Sequence, residues 1–318
     1  MFYFFWFLAM KFSVIVPVYN EKDSIHFFLN SLYSQTRTPD EIIIVDWGST
    51  DWTFEILKKE EKKWKIRLLS NPVRQWNIAR SRNLAIENSS YDLILCTDAW
   101  NQLNKNRCEA YLKIYETTDE KVVWGKSEFI ADTKFQKNCI PRLTSKVPNF
   151  PSRNVSFYKQ ARKDAGWYPE FLTLWAEDTY FNNRLKDAWY SFYYCKDAIV
   201  KRELRKSYYE IYKMYRNYTQ WDTEVLIVKW KNQSISIKQS IIFVSFFFCL
   251  FLSIFVLKWW IIPVIFLWLI AIWLYKRTPW WFWFDLHFSC AKIVGITIGF
   301  LKWIISGIEI RYKMKKEK

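Results

Sequence analysis

Polar side chains follow the predicted strands at three separate places in the chain. Tyr19 and Asn20 come after the apolar run "FSVIVPV", Asp46 ends "EIIIVD", and Asp98 ends "YDLILCTD". Because ligands of open parallel sheets bind beyond the carboxyl ends of the strands, the three segments point to one crevice. Carboxylates in such a crevice can hold a hard divalent cation, which binds phosphates with the help of one or two protein carboxylates.

A pair of adjacent acidic residues, Glu177 and Asp178, lies farther along the chain in "AEDTYF". A carboxylate side chain can act as a general acid or base. Two carboxylates also suit the start of a helix, where the helix dipole favours negative charge. The two interpretations are compatible with each other.

Strands and helices alternate in the part of the chain that must position these residues. Apolar runs predict four strands, and the stretches between them have the apolar spacing of helices. The strands are predicted at 12–20, 41–46, 65–70 and 91–98, and the helices at 25–32, 53–64 and 77–89. This alternation predicts an α/β domain with a mostly parallel sheet and flanking helices.

The chain of 318 residues is basic, with a formal net charge of +16. Such an excess indicates nucleic acid, a membrane surface or a phosphate-rich ligand as a partner. Much of it borders the apolar C-terminal segments, and no nucleic-acid motif is present, which disfavours nucleic acid. The six cysteines include no C-x-x-C pair, so reduced cytosolic thiols are expected and a zinc site or disulfide framework is disfavoured.

The character of the sequence changes after residue 235. The segments 239–257 and 259–275 contain no charged residue, and each is close to the roughly 20 residues that span a bilayer. We predict a transmembrane helical hairpin at 236–277, with a buried hairpin of a soluble core as the alternative. The flanking lysines and arginines place both ends, and with them the α/β domain, on the cytosolic side of the cell membrane.

The two ends of the chain have less definite patterns. Polar residues recur at helical spacing between 285 and 308, so 278–318 is predicted to form an amphipathic interfacial helix and a basic tail. A third membrane span is the alternative for this segment. The apolar start "MFYFFWFLA" lacks a basic region and is a poor signal peptide, so it dips into the membrane or translation begins at Met10.

Five motifs together resemble the family 2 nucleotide-sugar glycosyltransferases with a GT-A fold. They are "SVIVPVYNE", "EIIIVDWGSTDWT", "ARSRNLAI", "CTDAW" and "WAEDTYF", in the family's order and on the predicted strand ends. The resemblance covers residues 11–222 and implies a Rossmann-like GT-A domain at 11–225. It also implies that a sugar is transferred from a nucleotide-diphosphate donor with inversion at the anomeric carbon.

The resemblance gives Asp98 a metal-binding role, since this residue matches the first Asp of the family's D-x-D motif. The third motif position is Trp100, so the segment is similar to the subgroup with T-D-A-G and a single Asp. A departing diphosphate needs a divalent cation and basic groups, and Mg²⁺ or Mn²⁺ is therefore the expected cofactor. The alternative for Asp98 is a turn or capping residue.

The resemblance also assigns a set of donor-binding residues. The set consists of Pro17, Tyr19, Glu21, Asp46, Arg82 and Asp98. Within it, the Asp46 carboxylate can accept an N–H of the nucleobase. An ordinary loop and helix start is the alternative for Tyr19 and Glu21, and a solvated helix face is the alternative for Arg82.

In the resembled family the two residues of the acidic pair have different roles. Asp178 is the expected catalytic base, and Glu177 is the expected acceptor contact. We therefore predict an inverting glycosyltransferase that moves a sugar to a lipid-linked or glycan acceptor at the cytosolic membrane face. The alternative is an inactive, membrane-anchored scaffold with the same fold.

Glycine and tryptophan occur in unusual proportions, with 6 glycines and 20 tryptophans. Several tryptophans stand where the resembled family usually has glycine: Trp47, Trp52, Trp100, Trp167, Trp189 and Trp221. Glycine serves positions of positive φ or of close approach to a ligand, so tryptophan there is expected to be strained. We hypothesise that these codons are UGA, read as glycine in the native host. Real tryptophans in a degenerate relative are the alternative.

Overall fold

The computed structural model describes residues 10–63, 66–70, 78–143, 151–170 and 177–229, together with Val294 and Ile298. The chain divides into two compact units, Met1–Leu204 and Arg205–Lys318. The predicted hairpin at 236–277 and the segment before Met10 lie outside the described residues, as does all of 278–318 except Val294 and Ile298. Within the described ranges, no helix combines the length and the apolar character needed to cross a membrane.

A single sheet of eight strands forms the centre of the first unit. The strands are β1 (Phe12–Val18), β2 (Glu41–Asp46), β3 (Ile66–Ser70), β4 (Leu93–Thr97), β5 (Gln102–Leu103), β6 (Val122–Ile130), β7 (Asn154–Tyr158) and β8 (Tyr193–Glu203). Their order across the sheet is β3-β2-β1-β4-β7-β6-β8-β5. The pairs β1–β2, β1–β4 and β2–β3 are parallel, as predicted. Beyond β4 the sheet is mixed, since β7 runs antiparallel to both β4 and β6.

Helices flank this sheet, as expected for an α/β domain. Those of the first unit are α1 (Ile25–Tyr33), α2 (Thr53–Glu61), α3 (Ile78–Glu87), α4 (Arg107–Thr117), α5 (Lys134–Leu143), α6 (Lys159–Ala165) and α7 (Glu177–Asp187). The second unit contains the helix α8 (Tyr208–Lys229). The three helices predicted from apolar spacing are confirmed as α1, α2 and α3.

Two hydrophobic clusters cover the two faces of the sheet. Along β1, Val14 and Val16 belong to one cluster, and Ile15 belongs to the other. All three side chains are fully buried, and each contributes about 1.5–3 kcal/mol by leaving water. Burial on both faces explains why the central parallel strands are continuous apolar runs in the sequence.

The central strands separate at their carboxyl ends and leave a crevice. The ladder between β1 and β2 continues to the pair Val18 and Asp46, whereas the ladder between β1 and β4 ends at Ile15 and Cys96. Pro17 lies beyond that last pair, where its missing N–H removes no bond to β4. Strand order reverses between β1 and β4, which is where ligands of α/β sheets bind.

Candidate active site

Three buried charged side chains meet at the crevice. Arg82 of α3 donates from Nη2 to Oδ1 of Asp98 at 2.9 Å and from Nη1 to Oε1 of Glu177. Asp98 follows β4, and Glu177 begins α7. Arg82 is 2% exposed and the two acidic residues are each 4% exposed, so Arg82 is not on a solvated helix face. The structure thus joins three predicted site residues from three segments, and we call them the ion triad.

The ion triad consists of one guanidinium and two carboxyl groups, all of them buried. Burial raises the pKa of Glu177 to about 7, although Arg82 acts in the opposite direction. Burial also acts to lower the pKa of Arg82, but Asp98 and Glu177 outweigh it and keep that pKa above its usual value. Oε2 of Glu177 is buried and has no hydrogen-bond partner among the described residues.

Asp178 lies beside the ion triad but is more accessible. Its side chain is half-buried in the first turn of α7, and its Oδ1 accepts the backbone N–H of Thr179 at 2.7 Å. A hydroxyl group can therefore approach Asp178 from solvent, whereas Glu177 is enclosed. Both acidic residues are in the first helical turn, which agrees with the helix-start interpretation as well.

Asn83 was not predicted as a site residue, yet it holds the segment 168–170, which follows α6. Its Nδ2 donates to the Tyr168 carbonyl and to Oε1 of Glu170, both at 2.9 Å. Its Oδ1 accepts the backbone N–H of Tyr168 at 3.0 Å. The Tyr168 ring centre lies 5.6 Å from the Arg82 guanidinium, so Tyr168 lies beside the ion triad. The position of Asn83 directly after Arg82 is the sequence signal that could have identified it.

Asp46 uses its two carboxylate oxygens differently. Oδ2 accepts the backbone N–H groups of Gly48 and Ser49 at 3.0 and 3.1 Å and thereby shapes the turn after β2. Oδ1 is buried and has no hydrogen-bond partner among the described residues. One oxygen is therefore structural, and the other is available to an N–H of a ligand, as the base-binding prediction requires.

The loop after β1 is fastened to the turn after β2. Oδ1 of Asn20 accepts the backbone N–H of Thr50 at 2.8 Å. The ring of Tyr19 lies 4.6 Å from the ring of Trp47 between centroids, which places both at the crevice. The carboxylate of Glu21 accepts the Ser24 hydroxyl at the start of α1, in agreement with the helix-start alternative.

Two tryptophans have the left-handed backbone conformation that favours glycine. Trp52 has φ 75° directly before α2, and Trp189 has φ 64° just after α7. The N–H of Trp189 bonds to the Lys186 carbonyl, and that of Tyr190 bonds to the Leu185 carbonyl. These two bonds form a Schellman motif with Trp189 at its glycine-preferring position. The side chains of Trp52 and Trp189 are 71% and 95% exposed, so packing does not compensate the strain.

The strain expected at all six tryptophan positions is present at these two. Trp47, Trp100 and Trp167 are described and do not have positive φ. Trp221 lies inside α8, where a helical φ suits any residue. At Trp47 and Trp100 the relevant property is the volume of the indole ring. Trp47 lies in the turn after β2, and Trp100 lies two residues after Asp98, so both rings are close to the crevice.

We expect Trp189→Gly and Trp52→Gly to stabilise the protein by about 0.5–1 kcal/mol each, because glycine removes the left-handed penalty but loses more entropy on folding. Chemical denaturation of each variant measures this change in the free energy of unfolding. Trp189→Ala is the matched control, since alanine also lacks the indole but keeps the penalty. An equal gain for alanine and glycine would show that the indole, and not the backbone, is unfavourable.

The residues at the crevice fit a divalent cation only in partnership with a phosphate ligand. No group of three or more His, Cys, Asp or Glu side chains within the described ranges is placed to hold a metal ion. Asp98 supplies one carboxylate, which suits a cation that takes its other ligands from a diphosphate and water. Arg82 donates to Oδ1 of Asp98, so a cation at this carboxylate would share it with the guanidinium.

Comparison with known families decides the assignment. The profile described as "Glycosyl transferase family 2" matches residues 13–208. The chain belongs to glycosyl transferase family 2. This confirms the predicted family and the predicted enzyme class, a glycosyltransferase.

Curated relatives agree with the assignment. The chain is 35% identical over 98 residues to the poly(ribitol-phosphate) beta-N-acetylglucosaminyltransferase TarS of Staphylococcus aureus. This match covers 30% of this chain and 17% of TarS. The chain is 28% identical to the glycosyltransferase AglE of Haloferax volcanii, over 59% of this chain and 65% of AglE. The chain thus spans less than two thirds of either curated relative.

A solved structure supports the fold over a longer span. The mannosyltransferase PcManGT from Pyrobaculum calidifontis, in complex with GDP-Man and Mn²⁺, matches with a TM-score of 0.67 at 16% identity. The match covers 91% of this chain and 88% of that protein. The mixed α/β sheet with flanking helices is therefore the GT-A fold that was predicted.

Proposed function

We propose that this glycosyltransferase moves a hexosyl group from a nucleotide-diphosphate donor to a lipid-linked or glycan acceptor, with inversion at the anomeric carbon. The observation on which the proposal rests is the buried ion triad with Asp178 accessible beside it. The bound GDP-Man and Mn²⁺ of PcManGT support a nucleotide-diphosphate donor and a divalent cation. The name of TarS, which states a poly(ribitol-phosphate) acceptor, supports a polymeric acceptor.

In this mechanism the acceptor hydroxyl attacks the anomeric carbon, and the bond between the anomeric carbon and the diphosphate oxygen breaks. Asp178 takes the proton of the attacking hydroxyl. Oδ1 of Asp46 accepts an N–H of the nucleobase, next to the Tyr19 ring. Asp98 would hold Mg²⁺ or Mn²⁺, which when bound supplies positive charge to the departing diphosphate. Glu177, on the acceptor side, fixes the start of α7 through Arg82.

We further propose that the enzyme is a multi-pass protein of the cell membrane with its catalytic domain in the cytosol. The uncharged segments 239–257 and 259–275 with their basic flanks support a hairpin. The test is protease treatment of spheroplasts and of inverted vesicles. The domain should be cut only in inverted vesicles, and cleavage in intact spheroplasts would contradict the proposed orientation.

The proposal includes glycine in the native protein at the six tryptophan positions named above. The left-handed backbone at Trp52 and Trp189 supports this substitution independently of family resemblance. The test is peptide mass spectrometry of the protein from its native host. Peptides that contain residues 47, 52, 100 and 189 should have the mass of glycine, and tryptophan at 52 and 189 would refute the recoding.

A catalytically inactive scaffold is the second candidate function. The observation in its favour is Trp47, which is 8% exposed and packs against the Tyr19 ring in the crevice where the donor would bind. The two candidates differ in cation-dependent binding of nucleotides. We call the chain with glycine at positions 47, 52, 100, 167, 189 and 221 the glycine-containing chain. If the enzyme proposal holds, calorimetry with Mn²⁺ and UDP, and separately with GDP, should detect binding of the nucleotide to this chain.

The activity itself is tested with a panel of nucleotide sugars and membranes as the source of acceptor. The glycine-containing full chain should consume one donor class in a reaction that needs Mg²⁺ or Mn²⁺. The same chain with the printed tryptophans serves as the comparison. Absence of turnover with every donor, together with absence of nucleotide binding, would favour the scaffold.

A further inference from the structure

Arg82 connects the two sides of the site through the two ends of one rigid group. Its Nη2 reaches Asp98 at 2.9 Å, and its Nη1 reaches Glu177. These two carboxylates lie 16 and 95 residues away from Arg82 along the chain. Because the guanidinium is planar and presents its donors in a fixed fork, the position of one carboxylate constrains the other.

The neighbouring residues leave Arg82 little freedom to move. The side chain is fully enclosed, and the Tyr168 ring lies 5.6 Å from the guanidinium centre. Asn83 ties the same helix to the backbone of Tyr168 by two hydrogen bonds. Nη1 and Nη2 of Arg82 each donate to one carboxylate, and the buried Nε has no hydrogen-bond partner among the described residues. The guanidinium thus bridges the two carboxylates and still has N–H groups that neither of them occupies.

The ion triad has one positive group for two negative groups. A cation bound at Asp98 would supply a second positive charge and would weaken the electrostatic attraction between Asp98 and Arg82. The guanidinium could then act fully on Glu177, which is the first residue of the helix that also holds Asp178. Conversely, loss of the negative charge at Glu177 would leave Arg82 to bind Asp98 alone and to compete more strongly with the cation.

We propose that Arg82 is a positioning residue that couples cation and diphosphate binding at Asp98 to the placement of the α7 start at Glu177. This inference rests on the proposed function and deepens it. By thermodynamic reciprocity, each side of the site must then affect the other to the same degree. Binding of the donor fixes the start of α7, and with it the catalytic base Asp178, at the moment when the base is needed.

The test is a double-mutant cycle on the glycine-containing full chain, purified in detergent. The probes are Mn²⁺ with UDP and, separately, Mn²⁺ with GDP. In the presence of Arg82, Glu177→Gln should raise the dissociation constant of the Mn²⁺–nucleotide complex about threefold or more. In the Arg82→Met background the same Glu177→Gln change should have almost no effect. A residue that merely stabilised the fold would not make the effect of Glu177 depend on Arg82.

Two further variants complete the design. Arg80→Met is the matched control, because Arg80 is on the same helix but is 42% exposed and pairs with Glu170. In this background Glu177→Gln should have its full effect. If Arg82→Met does not fold, Arg82→Lys takes its place, since an ammonium keeps the charge but cannot bridge two carboxylates with one planar group.

The outcomes separate this inference from the proposed function. Equal effects of Glu177→Gln with and without Arg82, or no effect in the presence of Arg82, would overturn the coupling while the nucleotide site stands. Failure of the unsubstituted, glycine-containing chain to bind either nucleotide with Mn²⁺ would overturn the proposed function and the coupling together.

Discussion

Asp178→Asn should lower the rate of sugar transfer by about 1,000-fold, because the asparagine side chain cannot take the proton of the acceptor hydroxyl. Asp178 is half-buried in the first turn of α7, so its carboxylate is in contact with solvent. Binding of Mn²⁺ and nucleotide should not change, since the loss falls on the chemical step. Steady-state transfer kinetics, together with calorimetry of nucleotide binding, measure the two effects separately.

The control for this prediction is Asp187→Asn, the same chemical change at the exposed far end of the same helix. It should leave the rate unaffected. Glu177 is the rival base, because its pKa of about 7 is suited to proton transfer near neutral pH. Its burial and its contact with Arg82 argue against this role. If Glu177→Gln abolished transfer while Asp178→Asn did not, the base would have to be reassigned to Glu177.

Asp98→Asn should weaken cation-dependent nucleotide binding by about 100-fold or more, since loss of a ligand costs at least as much as loss of its supporting contacts. The variant should still fold. With Asp98 neutral, Arg82 keeps Glu177 as its partner, so no buried charge is left without a counter-ion. Calorimetry with Mn²⁺ and UDP or GDP measures the affinity, and the thermal midpoint reports the stability.

Asp92→Asn is the corresponding control, because Asp92 is exposed just before the opposite end of β4. Its affinity for the Mn²⁺–nucleotide complex should equal that of the unsubstituted chain. If nucleotide binding to Asp98→Asn depended on the cation as strongly as in the unsubstituted chain, Asp98 would not be a metal ligand. The single-Asp interpretation of "CTDAW" would then be wrong.

The parallel half of the sheet could be predicted because both of its faces are buried. Strands β1, β2 and β4 are therefore continuous apolar runs, and the helices between them have clear amphipathic spacing. The mixed half gave no comparable signal. β5 has two residues, β8 alternates irregularly between exposed and buried positions, and β6 and β8 shift register at Gly125 and Lys126. Apolar periodicity alone does not predict such strands.

The candidate site could be predicted as a set of strand ends but not as a network. Asp46 and Asp98 end apolar runs, so their shared edge follows from parallel pairing. The bond of Arg82 to Glu177 crosses 95 residues, and no local pattern reports such a contact. For the tryptophans, the sequence predicted more strain than the structure shows. Strain was expected at six positions, and of these six Trp52 and Trp189 have positive φ. Conformation at the others depends on the surrounding fold.

The central claim is that this family 2 enzyme transfers a sugar with inversion by means of Asp178. The most direct test is proton NMR of the reaction catalysed by the glycine-containing full chain, in which the anomeric configuration of the first product is recorded. Inversion by Asp178 predicts a configuration opposite to that of the donor, and no product with Asp178→Asn. A product with the configuration of the donor, or unchanged turnover by Asp178→Asn, would contradict it.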